Sequence, residues 1–221
     1  MPGDASTTGD GENRVPDRPP PLLIVVSGPS GVGKDALLAG IRARSADGGA
    51  ADAEAFAVPV TMTTRAPRDG EIDGVDYLFV SADEFEQRLR AGELLEHAQV
   101  YGHSYGVPRS QLREALAAGR DVIMRVDVQG AATLRRRLPG ALFVFLVPDD
   151  PRQLEARLRE RGMDDATLRR RLDTAERELA QREQFDHMVV NVDGDLDGTV
   201  ERVLAILEQE RAQPGRRPVE V

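Results

Sequence analysis

Apolar positions along the chain fall into runs and stripes that alternate in kind. Leu22 to Val26 is a continuous apolar run rich in β-branched residues, the pattern of a strand covered on both faces, and it leads straight into glycines. Asp35 to Arg44 places Leu37, Leu38 and Ile41 at helical spacing, and Ser45 to Glu54 then reads as a loop of Gly, Ala and acidic residues. From Phe56 to Val80 the pattern shortens to extended pieces broken by Pro59, Pro67, Gly70 and the turn signal Asp73-Gly74, which predicts a small β-rich insertion. Ser81 and Glu84 stand at capping-box spacing ahead of Phe85 and Leu89, so a helix is expected from Ser81 to Arg90, stopping near Gly92. A further helix is expected from about Pro108 to Ala118. Val122 to Val128 and Leu142 to Val147 are two more buried-strand runs, each followed by a helical segment, one of them opened by Asp150-Pro151. A last strand (Met188 to Asn191) and a helix (about Leu196 to Ala212) close the pattern. Strand and helix in alternation predict an α/β fold: a parallel sheet core flanked by helices, with the β-rich insertion as a separate lobe.

Composition narrows this picture in a few places. A chain of 221 residues, 40% hydrophobic, fits one core better than two. Residues 1–20 are too poor in apolar side chains to repay the entropy of folding and are expected to be a disordered leader, and 213–221 a flexible tail. A net charge of −9 argues against a nucleic-acid partner. No apolar run reaches the length of a membrane span, so a soluble cytoplasmic protein without membrane contact is expected. There is no cysteine, and His97, His103 and His187 are not at metal-ligand spacing. The arginine bias matters most: 28 of 29 cationic residues are Arg, and the single lysine is Lys34.

That lysine ends Gly28-Pro29-Ser30-Gly31-Val32-Gly33-Lys34, a glycine loop between a buried strand and a helix. Glycines there let backbone N–H groups turn inward around phosphate oxygens, the helix N-terminus adds partial positive charge, and the lysine reaches the outer phosphates. Asp35 stands where this motif has a hydroxyl that ligates Mg²⁺. A carboxylate is also a hard oxygen ligand, so Asp35 is a candidate metal ligand, and a residue favourable at a helix start in any case. Asp127 closes a predicted strand, where α/β sheets place ligands. It serves equally well as an aspartate that binds backbone. Arg65 and Arg68, alone, read as solvated loop charges, and Glu96 as a surface glutamate.

In sequence order, several segments resemble the guanylate kinases. Ser27 to Lys34 is similar to that family's opening, and Thr63-Thr64-Arg65-Ala66-Pro67-Arg68 with Gly70 to Tyr77 resembles its GMP-binding lobe. The resemblance covers about Leu22 to Glu208. It implies one domain over 21–212 with a GMP lobe at about 56–107, a helical lid at about 152–182, and Mg-dependent transfer of the γ-phosphoryl group of ATP to GMP. By position it assigns ATP to Gly28 through Asp35, the acceptor phosphate to Arg65, Arg68, Tyr77 and Tyr105, guanine to Thr61 and Glu96, and GMP binding also to Asp127. Lys34, Arg157, Arg161 and Arg171 would neutralise the phosphoryl group in flight. Val107 replaces a Ser or Thr of the family and Arg125 an aspartate. Asp35 and Tyr105-Gly106-Val107 lean toward a ribose 1,5-bisphosphate phosphokinase of the same superfamily, and a non-catalytic guanylate-kinase-like binding module is the third reading. Glu96 and the Gly70 to Tyr77 segment favour guanylate kinase, and the retained Lys34 and lid arginines count against a binding module.

Overall fold

The computed structural model of the protein describes residues 19–47, 56–100, 102–160 and 164–221. In chain order its elements are β1 (Leu23–Ser27), α1 (Lys34–Asp47), β2 (Phe56–Ala57), β3 (Met62–Thr63), β4 (Leu78–Phe79), α2 (Ala82–Arg90), β5 (Leu94–Val100), β6 (His103–Pro108), α3 (Arg109–Ala117), β7 (Asp121–Arg125), α4 (Val128–Arg137), β8 (Leu142–Pro148), α5 (Pro151–Glu160), α6 (Asp165–Leu179), β9 (His187–Asn191) and α7 (Leu196–Arg211), with one 3₁₀ turn at Arg182–Gln184. Five strands form a sheet in the order β2-β7-β1-β8-β9, every pair parallel. Four others form a second, mixed sheet in the order β4-β3-β6-β5.

The period of two in β1 explains its central place. Ile24 and Val26 join Leu37, Ile41, Val200 and Val203 on one face of the sheet. Leu23 and Val25 join Leu112, Met124, Leu134 and Phe143 on the other. All four β1 side chains are fully buried. At about 1.5–3 kcal/mol of gross burial free energy each, they anchor the strand that delivers the glycine loop. The mixed sheet has its own small core of Met62, Phe85 and Leu94. Ser81 caps α2 as the sequence predicts, its hydroxyl accepting from Glu84 N–H at 3.1 Å.

Several boundaries differ from the sequence reading. α1 runs on to Asp47, since nothing in Ser45-Ala46-Asp47 breaks a helix, and the rest of the expected loop, 48–54, lies outside the described residues. The strand expected to reach Val128 ends at Arg125, because the Asp127 carboxylate accepts from Gly130 N–H at 2.6 Å and turns the chain into α4. β5 and β6 form a hairpin that the apolar pattern did not single out. The expected leader lies almost wholly outside the described residues. The tail expected to be flexible packs instead: Val219 is 9% exposed within the Leu134, Leu138 and Phe143 cluster, and Arg113 Nε donates to Val221 O at 2.6 Å.

Candidate active site

Every strand of the main sheet points its carboxyl end at one edge, where the loops after β1, β7, β8 and β9 converge. After Ser27 the chain turns through Gly28 to Gly33 and enters α1 at Lys34. Gly33 has φ of 101°, and a Cβ there would lie 2.5 Å from Asn191 Nδ2, so conformation and space both require glycine. Val32 is fully buried and roots the loop in the core. The Lys34 ammonium folds back to donate to Gly28 O at 2.6 Å and Pro29 O at 3.1 Å. Burial lowers its pKa, against the pull of Glu178, Asp35 and Asp127.

The helical segment over this loop brings two of the expected arginines to it. Arg171 Nη1 donates to Ser30 Oγ at 3.3 Å, while Arg157 Nη1 donates to Val32 O at 3.3 Å and its Nη2 to Asp193 Oδ1 at 2.7 Å. Beside them a cleft of about 440 Å³ is lined by Gly31, Gly33, Ala36, Arg157, Asn191 and Leu196. Arg161 lies outside the described residues.

A second cleft, of about 310 Å³, is lined by Lys34 itself. Pairing of Glu96 with Val107 and Ala98 with Tyr105 puts these four side chains on one face of the hairpin by the strand period, and all four line this cleft. Thr61, Tyr77, Arg125 and Asp127 complete it together with Lys34. Burial pushes the Glu96 carboxyl up to about 7, with Asp127 adding to the rise and Arg137 opposing it. Tyr77 and Tyr105 meet edge to face at 6.1 Å, and the Arg65 guanidinium lies 5.3 Å from the Tyr77 ring centroid, held by both oxygens of Glu71 at 2.8 and 2.9 Å. Arg68 is exposed, and its N–H donates to Glu71 Oε2. Thus Thr61, Tyr77, Glu96, Tyr105 and Asp127 come together with Lys34, Arg65 stands against Tyr77, and Arg68 remains at the rim.

Asp35 is exposed at the start of α1, and its Oδ1 pairs with Arg125 Nε at 2.5 Å. Among the described residues no three His, Cys, Asp or Glu side chains converge to hold a metal. One carboxylate beside a phosphate loop nevertheless suits Mg²⁺, which takes one or two carboxylates and fills its shell with phosphate oxygens and water. Asp35 is the residue here that fits.

Three neighbours of the site, Asn191, Glu178 and Arg137, were not identified from the sequence, and Arg125 was noted there only as a departure from the family pattern. Buried Asn191 donates from Nδ2 to Val32 O at 2.6 Å and accepts from Thr199 Oγ1 at 3.0 Å, so it fixes the loop from the end of β9. Glu178 Oε2 accepts from Ser30 N–H at 3.1 Å, one of the donors a phosphate would use; burial raises its pKa while Lys34 opposes the rise. Arg137 Nη1 donates to Leu95 O at 3.2 Å, next to Glu96, and Arg125 Nη2 to the Tyr77 hydroxyl at 3.4 Å. The position of Asn191 at a strand's carboxyl end was the available signal. The others depend on helix placement that periodicity does not fix.

A phosphate loop at the carboxyl edge of a parallel sheet, with one cleft lined by its glycines and another by its lysine, is the arrangement of a phosphoryl-transferring kinase. Comparison with known proteins narrows the class. The guanylate kinase family model matches residues 21–210. Similar proteins include "Guanylate kinase 2, chloroplastic/mitochondrial" of Oryza sativa subsp. japonica, 41% identical over 217 residues (97% of this chain, 73% of that protein). The guanylate kinases of Latilactobacillus sakei and Frankia casuarinae are 41% and 43% identical over 88% and 84% of this chain and 92% and 96% of their own length. The crystal structure of guanylate kinase from Anaplasma phagocytophilum superposes with a TM-score of 0.69 at 30% identity, covering 90% of each chain. The chain belongs to the guanylate kinase family.

Proposed function

We propose the following division of labour in this ATP:GMP phosphotransferase. ATP lies along Gly28 to Asp35 with its base in the cleft beside Arg157 and Asn191. GMP lies in the cleft of Thr61, Tyr77, Glu96 and Tyr105. The observation that carries the reading is that Lys34 lines the GMP cleft while belonging to the ATP loop, so the two phosphate ends meet at one ammonium.

Ionised Glu96 accepts from the N1–H and exocyclic amine of guanine, a pair of donors that adenine lacks, and Thr61 meets the carbonyl. Asp127 keeps its α4 cap and faces the base with its remaining lone pairs. Tyr77, Tyr105 and Arg65 hold the acceptor phosphate, joined by Arg68 when the lobe closes. Lys34 exchanges two loop carbonyls for phosphate oxygens, and Glu178 cedes the Ser30 N–H. Arg157 and Arg171, with Arg161, spread positive charge over the transferring group. A phosphate oxygen of GMP attacks the γ-phosphorus as its bond to the bridging oxygen breaks, so no protein base is needed. Asp35 would hold Mg²⁺, which when bound would supply charge neutralisation for the transferring phosphates.

The test is ADP release from Mg·ATP with GMP, AMP or ribose 1,5-bisphosphate offered in parallel. Release with GMP alone is expected. Release with AMP at a comparable rate defeats the guanine-reading role of Glu96. Lys34→Ala is expected to lower kcat at least about 10²-fold, the scale of one lost transition-state donor, and an unaltered kcat sinks its phosphate role.

A further inference from the structure

Arg125 has no part in the division of labour above, yet it lines the GMP cleft and pairs with the residue that follows Lys34. It ends β7, its Nε pairs with Asp35 on the ATP side at 2.5 Å, and its Nη2 reaches the Tyr77 hydroxyl on the GMP side at 3.4 Å. We propose that Arg125 is an acceptor-phosphate-binding residue which Asp35 holds in reserve, and that the two exchange partners when substrates arrive. The proposal rests on the reading that the acceptor phosphate lies at Tyr77.

The relative strengths of the contacts favour exchange. The Asp35 side chain is 76% exposed and that of Arg125 29%, so their attraction is screened by water and readily given up. A phosphate dianion held by Tyr77 offers the same guanidinium a doubly charged partner with oxygens placed for two parallel N–H bonds, in a more enclosed cleft. Once Arg125 turns to that phosphate, the Asp35 carboxylate is free to face the Mg²⁺ of ATP, for which it is the fitting protein ligand. Each substrate thereby removes the competitor of the other's contact, and this is a coupling free energy between the two sites. The pair also keeps an unbalanced carboxylate away from incoming phosphates until a cation is there to meet it.

The experiment is isothermal titration with GMP and, separately, guanosine, in the absence of metal and ATP. Guanosine lacks the phosphate, so the ratio of the two affinities isolates the phosphate contact. The wild type should prefer GMP; equal affinities would overturn the acceptor-site reading itself. Arg125→Gln should weaken GMP roughly tenfold or more, the scale of a hydrogen bond to a charged group, while guanosine stays within about twofold. Asp35→Asn should do the opposite, tightening GMP by roughly two- to fivefold, the scale of a released exposed ion pair, again without moving guanosine. The double variant should bind GMP no more tightly than Arg125→Gln alone. Arg125→Lys, which keeps the charge and loses the fork, should fall between wild type and Arg125→Gln, and serves if the glutamine variant melts early. A GMP-to-guanosine ratio unchanged in Asp35→Asn and Arg125→Gln, with the wild-type preference intact, overturns the role of Arg125 alone.

Discussion

In the proposed reading, Glu96 alone sets the cost of base recognition. A carboxylate that reads guanine must be ionised, yet burial and Asp127 push its pKa up to about 7. Binding therefore has to drive a proton off at neutral pH. Guanosine affinity is expected to climb as pH rises from about 6 to about 8 and to flatten above, approaching tenfold per unit at the acid end. Guanosine is the right probe because the second ionisation of a phosphate ester, near 6, would overlap. Titration across that range should show the slope in wild type and none in Glu96→Gln; a flat wild-type profile defeats the assignment. The same shift has a consequence for stability. Because the folded pKa lies above the ordinary 4.5, the folded state holds the proton more tightly. Stability of the unliganded protein thus falls as pH rises from about 4.5 to about 7 and stays lowered above. Glu96→Gln should melt higher than wild type at pH 8, by an amount of order 1–3 kcal/mol, and the difference should vanish near pH 4. Equal melting at both pH values would show that burial does not load this carboxyl.

At the scale of elements, the phosphate loop depends on a strand far along the chain. Asn191 ends β9, and its side chain satisfies Val32 O and the Thr199 hydroxyl in a buried setting. Asn191→Ala removes one hydrogen bond from each, leaving Val32 O with Arg157 and the Thr199 hydroxyl with Asp195 O; two lost hydrogen bonds cost about 1–3 kcal/mol, and the change opens space beside Gly33. Asn191→Asp should be worse, since a carboxylate would face the Val32 carbonyl. Both variants should lower Tm and weaken binding of a non-hydrolysable ATP analogue while leaving guanosine affinity intact; an unchanged Tm in Asn191→Ala would show that another contact holds the loop. This dependence marks the limit of what the sequence disclosed. The glycine loop, Lys34 and the capping of α2 by Ser81 are legible because their chemistry is local and spacing-dependent. The cleft residues Thr61, Tyr77, Glu96 and Tyr105 were reached through family resemblance, and the strand period then explains why Glu96 and Tyr105 share a face. Asn191 on Val32, Glu178 on Ser30 and Asp35 on Arg125 join residues distant in sequence, and no periodicity specifies such pairs. The two departures at 35 and 125 looked unrelated along the chain, yet they are one ion pair in space.

Over the whole molecule, chemistry and anchoring occupy opposite edges of the main sheet. The phosphate loop, Asp127 and Asn191 follow or end strands at the carboxyl edge. At the amino edge, buried Asp121 accepts from Leu22 N–H at 2.7 Å and pairs with Arg211 of α7. The C-terminal segment crosses that same edge: Arg216 Nη2 donates to Pro21 O at 3.3 Å, Val219 joins the cluster of Leu134, Leu138 and Phe143, and Val221 O accepts from Arg113. Its polar Pro/Gly/Arg composition suggested a free tail, because one buried valine and a few backbone contacts are too sparse to register in composition. Sparse as they are, they have a predictable weight. Removing 213–221 uncovers the site of Val219, worth about 1.5–3 kcal/mol of burial, and should lower Tm by roughly 3–12 °C for a chain of this size. GMP and ATP affinities should stay within about twofold, since the proposed substrate clefts lie at the opposite edge. Differential scanning calorimetry with titration of both nucleotides decides the matter. Tm unchanged would mean the tail contributes no net stability, and a selective loss of GMP affinity would mean that the strap acts through Arg137, which reaches from the tail's cavity to Leu95 beside Glu96.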